Sequence, residues 1–157
     1  MYQLFYCRTY ALLICLFLFR SGPTIQFARA DIGMASQYVP PYTPTACYGD
    51  DRSQFPTSNL FAAAGEGTWD GGAACGRQYL VRCINGPKRG SCKPDFQTIR
   101  VRVVDRAQTS VSRPTKEVTS LVLSNTAYMT IADPSVPFVN IEFWYCFASK
   151  EQLTIPF

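Results

Sequence analysis

The sequence predicts an all-β domain, a small barrel or sandwich of about six short strands with one short helix. Three observations carry this. Residues 78–84, 98–105 and 136–147 alternate apolar and polar side chains with the period of two that a half-buried strand requires. Eleven Pro and ten Gly break the chain at short intervals, which suits turns and argues against a helical bundle. Aromatic residues reach 14 %, and such side chains favour pleated surfaces over helices. The strand separations are irregular, so a simple meander is not expected.

Residues 11–19 read ALLICLFLF, nine apolar residues between Arg8 and Arg20. That is far short of the ~20 needed to span a bilayer, and it fits the apolar region of a secretory signal. Ala28, Arg29 and Ala30 then give a small-x-small cleavage site. Residues 1–30 are therefore expected to be a signal peptide, residues 31–147 the domain and residues 148–157 a C-terminal tail. No second apolar segment follows, so no membrane span is expected once the signal is removed.

Along the domain, residues 35–39 suit one short strand before the Pro-rich stretch that follows. Residues 48–61 read as a loop, and 60–64 as a single helical turn. Glycines at 71, 72 and 76 punctuate the approach to the next strand. In 78–84, Tyr79, Val81 and Cys83 share one face, and Gln78, Leu80 and Arg82 the other. In 98–105, Ile99, Val101 and Val103 oppose Thr98, Arg100 and Arg102. A long polar loop covers 107–117, and 120–123 can form a short strand. Ser124 is placed to cap a helix running to Ala132, stopped by Asp133-Pro134. In 136–147, Val139, Ile141, Phe143 and Tyr145 share one parity.

The chain has no His, which removes Ser-His-Asp and Cys-His catalysis and histidine-ligated metal sites. Its net charge of +4 includes three arginines from the first thirty residues. The remainder holds twelve basic and eleven acidic side chains, so no nucleic-acid partner is expected. Of seven Cys, Cys7 and Cys15 belong to the signal. Cys47, Cys75, Cys83, Cys92 and Cys146 remain, and in a secreted chain they read as two disulfides and one leftover thiol. Without a CxxC pair or a His, no metal site and no cofactor are expected. The loop from Cys83 to Cys92 holds Asn85-Gly86-Pro87 and Gly90 and suits a stapled hairpin. Cys47 and Cys75 flank a long loop whose closure would be stabilising. The residues alone do not fix the pairing.

Four segments in order carry a resemblance: PPYTPTACYG (40–49), WDGGAACGRQYLVRC (69–83), TIRVRVVDR (98–106) and SLVLSNTAYMTIADP (120–134). Together they resemble the plant natriuretic peptide-like, EG45-like single-domain proteins. These are related to the first domain of expansins, to barwin and to family-45 glycoside hydrolases. The resemblance spans nearly all of residues 33–145. It implies a six-stranded double-psi β-barrel with one or two short helices, secretion to the apoplast, and a cell-wall or signalling role. It also implies Cys47–Cys75 beside Cys83–Cys92, with Cys146 left over and Cys75–Cys146 as the competing pair. Two departures stand out. The family reads Leu-Asp-Leu-Ser before its helix, and here the Asp position is Val122. The family Cys that follows the strand ending at Arg106 is missing.

Glycoside hydrolysis needs two carboxylates ~5–9.5 Å apart. Asp105 ends a strand, where it could face a groove or simply accept backbone N–H bonds. Its family partner is Val122, which cannot move a proton. Asp50, Asp51 and Asp70 lie in loops. No catalytic residue and no enzyme activity are therefore expected, and Val122→Asp is expected to fold without gaining activity. Sugar rings stack on exposed aromatic faces, and Tyr38, Tyr42, Tyr48, Trp69 and Tyr79 lie in or beside the glycine-rich loops. Tyr48, Trp69, Tyr79 and Asp105 are the candidate groove residues. Arg77 and Arg82 are the candidate receptor-facing residues. The leading expectation is a monomeric, secreted, non-catalytic natriuretic-peptide-like protein, read by a cell-surface receptor and acting on water and ion balance or stress signalling. The alternative is an expansin-like binder of wall polysaccharide without hydrolase activity.

Overall fold

The computed structural model describes residues 30–94, 97–107 and 119–146. The expected signal peptide apart from Ala30, the polar loop after Ala107 and the expected tail lie outside the described residues. Six strands run in chain order: β1 (Asp31–Tyr38), β2 (Phe61–Ala64), β3 (Gln78–Asn85), β4 (Thr98–Arg106), β5 (Leu121–Ser124) and β6 (Phe138–Tyr145). They close into a barrel with the order β1-β5-β2-β4-β3-β6. Two neighbouring pairs, β1/β5 and β2/β4, are parallel, and the other four are antiparallel. Two short helices complete the fold: α1 (Glu66–Trp69), continued by a 3₁₀ turn at Asp70–Gly72, and α2 (Asn125–Ile131).

The alternation in β3, β4 and β6 fixes which face is buried. Val81, Val101, Val103, Val139 and Ile141 point into the barrel, joined by Leu121 and Leu123 from β5. Arg82, Arg100 and Glu142 point outward. β1 begins four residues earlier than the apolar pattern suggests, because Asp31–Met34 pair with Phe143–Asn140 of β6. Residues 60–64 form no helical turn. Phe61–Ala64 are strand β2, fully buried and hydrogen-bonded on both edges, to β4 and β5. A run of alanines between two partners buries both of its faces and so shows no alternation.

Glycine is required where the chain leaves β2. A Cβ on Gly65 would sit 1.9 Å from the Thr119 carbonyl oxygen, and the Gly65 N–H donates to Ser120 O at 2.9 Å. Helix α2 starts at Ser124, whose hydroxyl accepts from Ala127 N at 3.2 Å and donates to Asn59 O at 2.6 Å. Tyr128 seats the helix on the core and donates to Val136 O at 3.0 Å. Burial, then the Asp133 charge, pushes its hydroxyl up to about 12.

Disulfides join Cys47 to Cys75 and Cys83 to Cys92, with Cα separations of 5.5 and 5.6 Å. The first ties the segment between β1 and β2 to the glycine-rich turn before β3. The second staples the loop that leaves β3. Cys146 is a free, half-buried thiol at the end of β6.

Candidate functional site

Asp105 and Val122 lie on the outer wall of the barrel, on either side of β2. Ala63 pairs with Asp105 in β4 and with Val122 in β5. A bulge between Ala62 and Ala63 skips Val104 and brings Asp105 to that face. Ser36 of β1 is the next partner beyond Val122. This wall is covered. Tyr38, Phe61, Ala63, Val104, Ala107 and Val122 form a second apolar cluster, with Tyr42, Tyr48 and Phe55 of the β1–β2 connection packed over it. The rings of Tyr38, Tyr42 and Phe55 all meet Phe61, with centroids 4.8–6.2 Å away.

Asp105 therefore faces no open groove, contrary to the groove assignment from sequence. Its side chain is fully buried, and Oδ1 accepts from Ala46 N at 2.6 Å and Arg106 N at 2.8 Å. A carboxylate pinned by two backbone N–H groups anchors the covering segment to the strand end. Val122 is equally buried. Beside it, the hydroxyls of Ser36 and Tyr38 are buried and have no hydrogen-bond partner among the described residues. Burial above all, then the Asp105 charge and Tyr42, pushes the Tyr38 hydroxyl well above the ordinary tyrosine range, so it stays protonated.

An open depression lies elsewhere, around the start of β1 and the 3₁₀ turn. It measures about 650 Å³ and is lined by Asp31, Ile32, Glu66, Thr68, Asp70, Arg77, Tyr79, Ser120 and Phe143, among others. Arg77 donates to Asp70 at 2.6 Å, and its guanidinium lies 5.8 Å from the Tyr145 ring centre. Arg106 holds Glu66 at 2.7 Å. Tyr79 reaches the depression with little of its surface, being 7 % exposed and packed edge-on against Phe143 and at a tilt against Tyr145. The result is a polar bowl with hydroxyls, carboxylates and one guanidinium around an aromatic floor.

The sequence candidates thus divide between places. Arg77 and Tyr79 meet at the bowl. Tyr48 belongs to the covered wall, with the Arg102 guanidinium 5.9 Å from its ring centre. Trp69 is half-buried, packs against the core cluster, and is not among the residues lining the bowl. Arg82 stands on the opposite outer wall, ion-paired with Glu142. Glu66, Thr68 and Ser120 were not legible as site residues, since only the closed barrel brings them beside Arg77. Among the described residues no group of His, Cys, Asp and Glu could hold a metal, and no helix is long and apolar enough to cross a membrane.

No family model matches the chain. Among curated proteins it is similar to EG45-like domain containing protein 2 of Arabidopsis thaliana, 40 % identical over 78 residues, which is 50 % of this chain and 56 % of that protein. It is 31 % identical to an EG45-like domain containing protein of Citrus jambhiri, over 74 % of this chain and 82 % of that one. It is 30 % identical to putative EG45-like domain containing protein 1 of Arabidopsis thaliana, over 75 % and 85 %. Among solved structures it is similar to a Clavibacter michiganensis expansin, as an Asp-to-Asn mutant in complex with cellohexaose (TM-score 0.56) and in the apo form (TM-score 0.54). Both are 22 % identical and share the fold over 77 % of this chain, which spans about half (52 %) of the expansin. The six-stranded barrel is thus the double-psi barrel of expansins, and the chain belongs to the EG45-like domain containing proteins.

Proposed function

We propose that this chain is a secreted, non-hydrolytic protein that binds a neutral wall polysaccharide. One observation carries the non-hydrolytic part. The wall that would hold an acid pair holds one buried carboxylate, tied to two backbone N–H groups, opposite a buried valine. An inverting or retaining mechanism needs a second carboxyl and room for water or sugar between them, and neither is supported here. Two disulfides fit an oxidising, extracellular compartment. The polar bowl around Arg77 and Tyr79 offers the mixture of donors, acceptors and aromatic carbon that suits sugar hydroxyls and ring faces. The expansin that shares the fold was solved with cellohexaose, which supports a β-glucan as the ligand class.

Receptor signalling is the second reading, favoured by the outward-facing arginines Arg77 and Arg82. Arg77 is ion-paired with Asp70 and Arg82 with Glu142, so each stands as a neutral pair rather than a lone cation, which suits a neutral, hydroxyl-rich ligand better than an acidic receptor surface. Binding is therefore placed first. The test pairs two assays on the secreted protein. Retention on insoluble cellulose, with no reducing sugar released from soluble β-glucan, supports the reading. Receptor-dependent swelling of wall-free protoplasts without cellulose retention supports signalling instead. Sugar release above blank that Asp105→Asn abolishes would overturn the non-hydrolytic assignment.

A further inference from the structure

Among the described residues, no segment covers the wall opposite Asp105. Strand parity places Trp144 and Glu142 of β6 on its outer face. Glu142 stands between Arg82 of β3 and Ile32 of β1, and Trp144 stands opposite Leu80. Ile32 is 79 % exposed, Trp144 and Leu80 are half-buried, and none of the named helices or strands among the described residues packs over this wall. Arg82, Glu142 and Trp144, with Ala30, line a shallow depression of about 240 Å³, smaller than the ~300 Å³ of a typical drug-sized pocket.

We propose that this depression is a subsite for one pyranose ring of a β-linked glucan, with Trp144 as the stacking platform. The inference rests on the polysaccharide-binding reading above and assigns it a residue. The indole face offers an apolar, electron-rich surface to the axial C–H bonds of a sugar ring. Arg82 and Glu142 supply planar donors and planar acceptors side by side, the pattern that vicinal hydroxyls satisfy, since each hydroxyl both donates and accepts. The pair is electrically neutral, so the depression selects neither an anion nor a cation, and a neutral sugar is the complementary occupant. The start of β1 joins this depression to the polar bowl: Ala30 lines the one, and Asp31 and Ile32 line the other. A glucan chain lying across the β1–β6 edge would meet both.

The chain has two tryptophans, Trp69 and Trp144, so the test can be read optically. Trp69→Phe leaves Trp144 as the sole indole. Cellohexaose titrated into this variant is expected to shift and saturate the Trp144 emission. Trp144→Ala is expected to weaken retention on insoluble cellulose by about tenfold or more, equivalent to ~1.4 kcal/mol, at an unchanged thermal midpoint. Trp144→Phe should recover part of the loss. If Trp144→Ala fails to fold, the titration of Trp69→Phe decides alone. Wild-type protein that is retained while Trp144 emission stays unmoved, or while Trp144→Ala binds as well as wild type, would overturn the subsite and leave the binding reading standing. Wild-type protein that ignores both cellulose and cellohexaose would remove the reading and the subsite together.

Discussion

Asp105 shows how one residue can look catalytic in a sequence and be structural in the fold. Its position at a strand end fits either role, and burial with two backbone donors supports the structural one. Replacing it with Ala would strand the Ala46 and Arg106 N–H groups, at ~1–3 kcal/mol for each group left unsatisfied. Urea denaturation of Asp105→Ala should show that loss, while sugar release stays at blank. Val122 allows a sharper test. Val122→Asp would place a second carboxyl in a fully buried position near Asp105, with the Ser36 and Tyr38 hydroxyls as the nearest free donors. The sequence reading expects this variant to fold, and the burial of the site adds that it should fold with a stability penalty. Burial raises the pKa of such a carboxyl, so the neutral form is favoured in the folded state. The stability deficit of Val122→Asp should therefore be small below pH ~4 and grow as pH rises through the raised value. A deficit independent of pH from 3 to 8 would show that the side chain escapes to solvent.

At the scale of elements, the strands with one solvated face were legible, and the one buried on both faces was not. β3, β4 and β6 announced themselves by alternation, and Ser124 announced α2, because capping chemistry is local. Ser124→Ala should cost ~1 kcal/mol for the cap, and more for the stranded Asn59 carbonyl. β2 hid in four residues, Phe61–Ala64, whose alanines carry no strand propensity and whose register depends on two distant partners. The covering segment between β1 and β2 was equally unreadable. Its Tyr42 and Phe55 look like exposed loop aromatics until Phe61 is known to lie beneath them. Cys47–Cys75 holds that segment down. Replacing both cysteines with Ser should cost ~3–4 kcal/mol in the chain-entropy account for a 28-residue separation. The Asp133 turn gives a second pH test. Hydrogen bonds from Ser135, then Lys88, hold its carboxyl below the ordinary aspartate value. Any stabilisation it adds is present above pH ~4 and lost as pH falls through the lowered value. The difference between wild type and Asp133→Asn in thermal midpoint should thus vanish near pH 2.

At the scale of the molecule, barrel closure makes surfaces that no segment contains. The parallel pairs β1/β5 and β2/β4 join residues about 40 to 90 positions apart. They separate three outer regions: a wall sealed over Asp105, a bowl around Arg77, and an open wall carrying Trp144. The family resemblance predicted the barrel but placed the aromatic groove residues in the loops. In the structure Trp69 packs half-buried against the core, and most of Tyr79 is buried. The bowl and the Trp144 wall present ion pairs, Arg77–Asp70 and Arg82–Glu142, beside partly exposed apolar groups, an arrangement suited to a neutral, hydroxyl-rich ligand. The measurement that tests this most directly is a depletion isotherm of the purified secreted protein on insoluble cellulose. The account predicts saturable retention that persists at high salt, because neutral stacking and hydrogen bonding are little screened. Retention no greater than on an inert matrix, or retention abolished by salt, would contradict it.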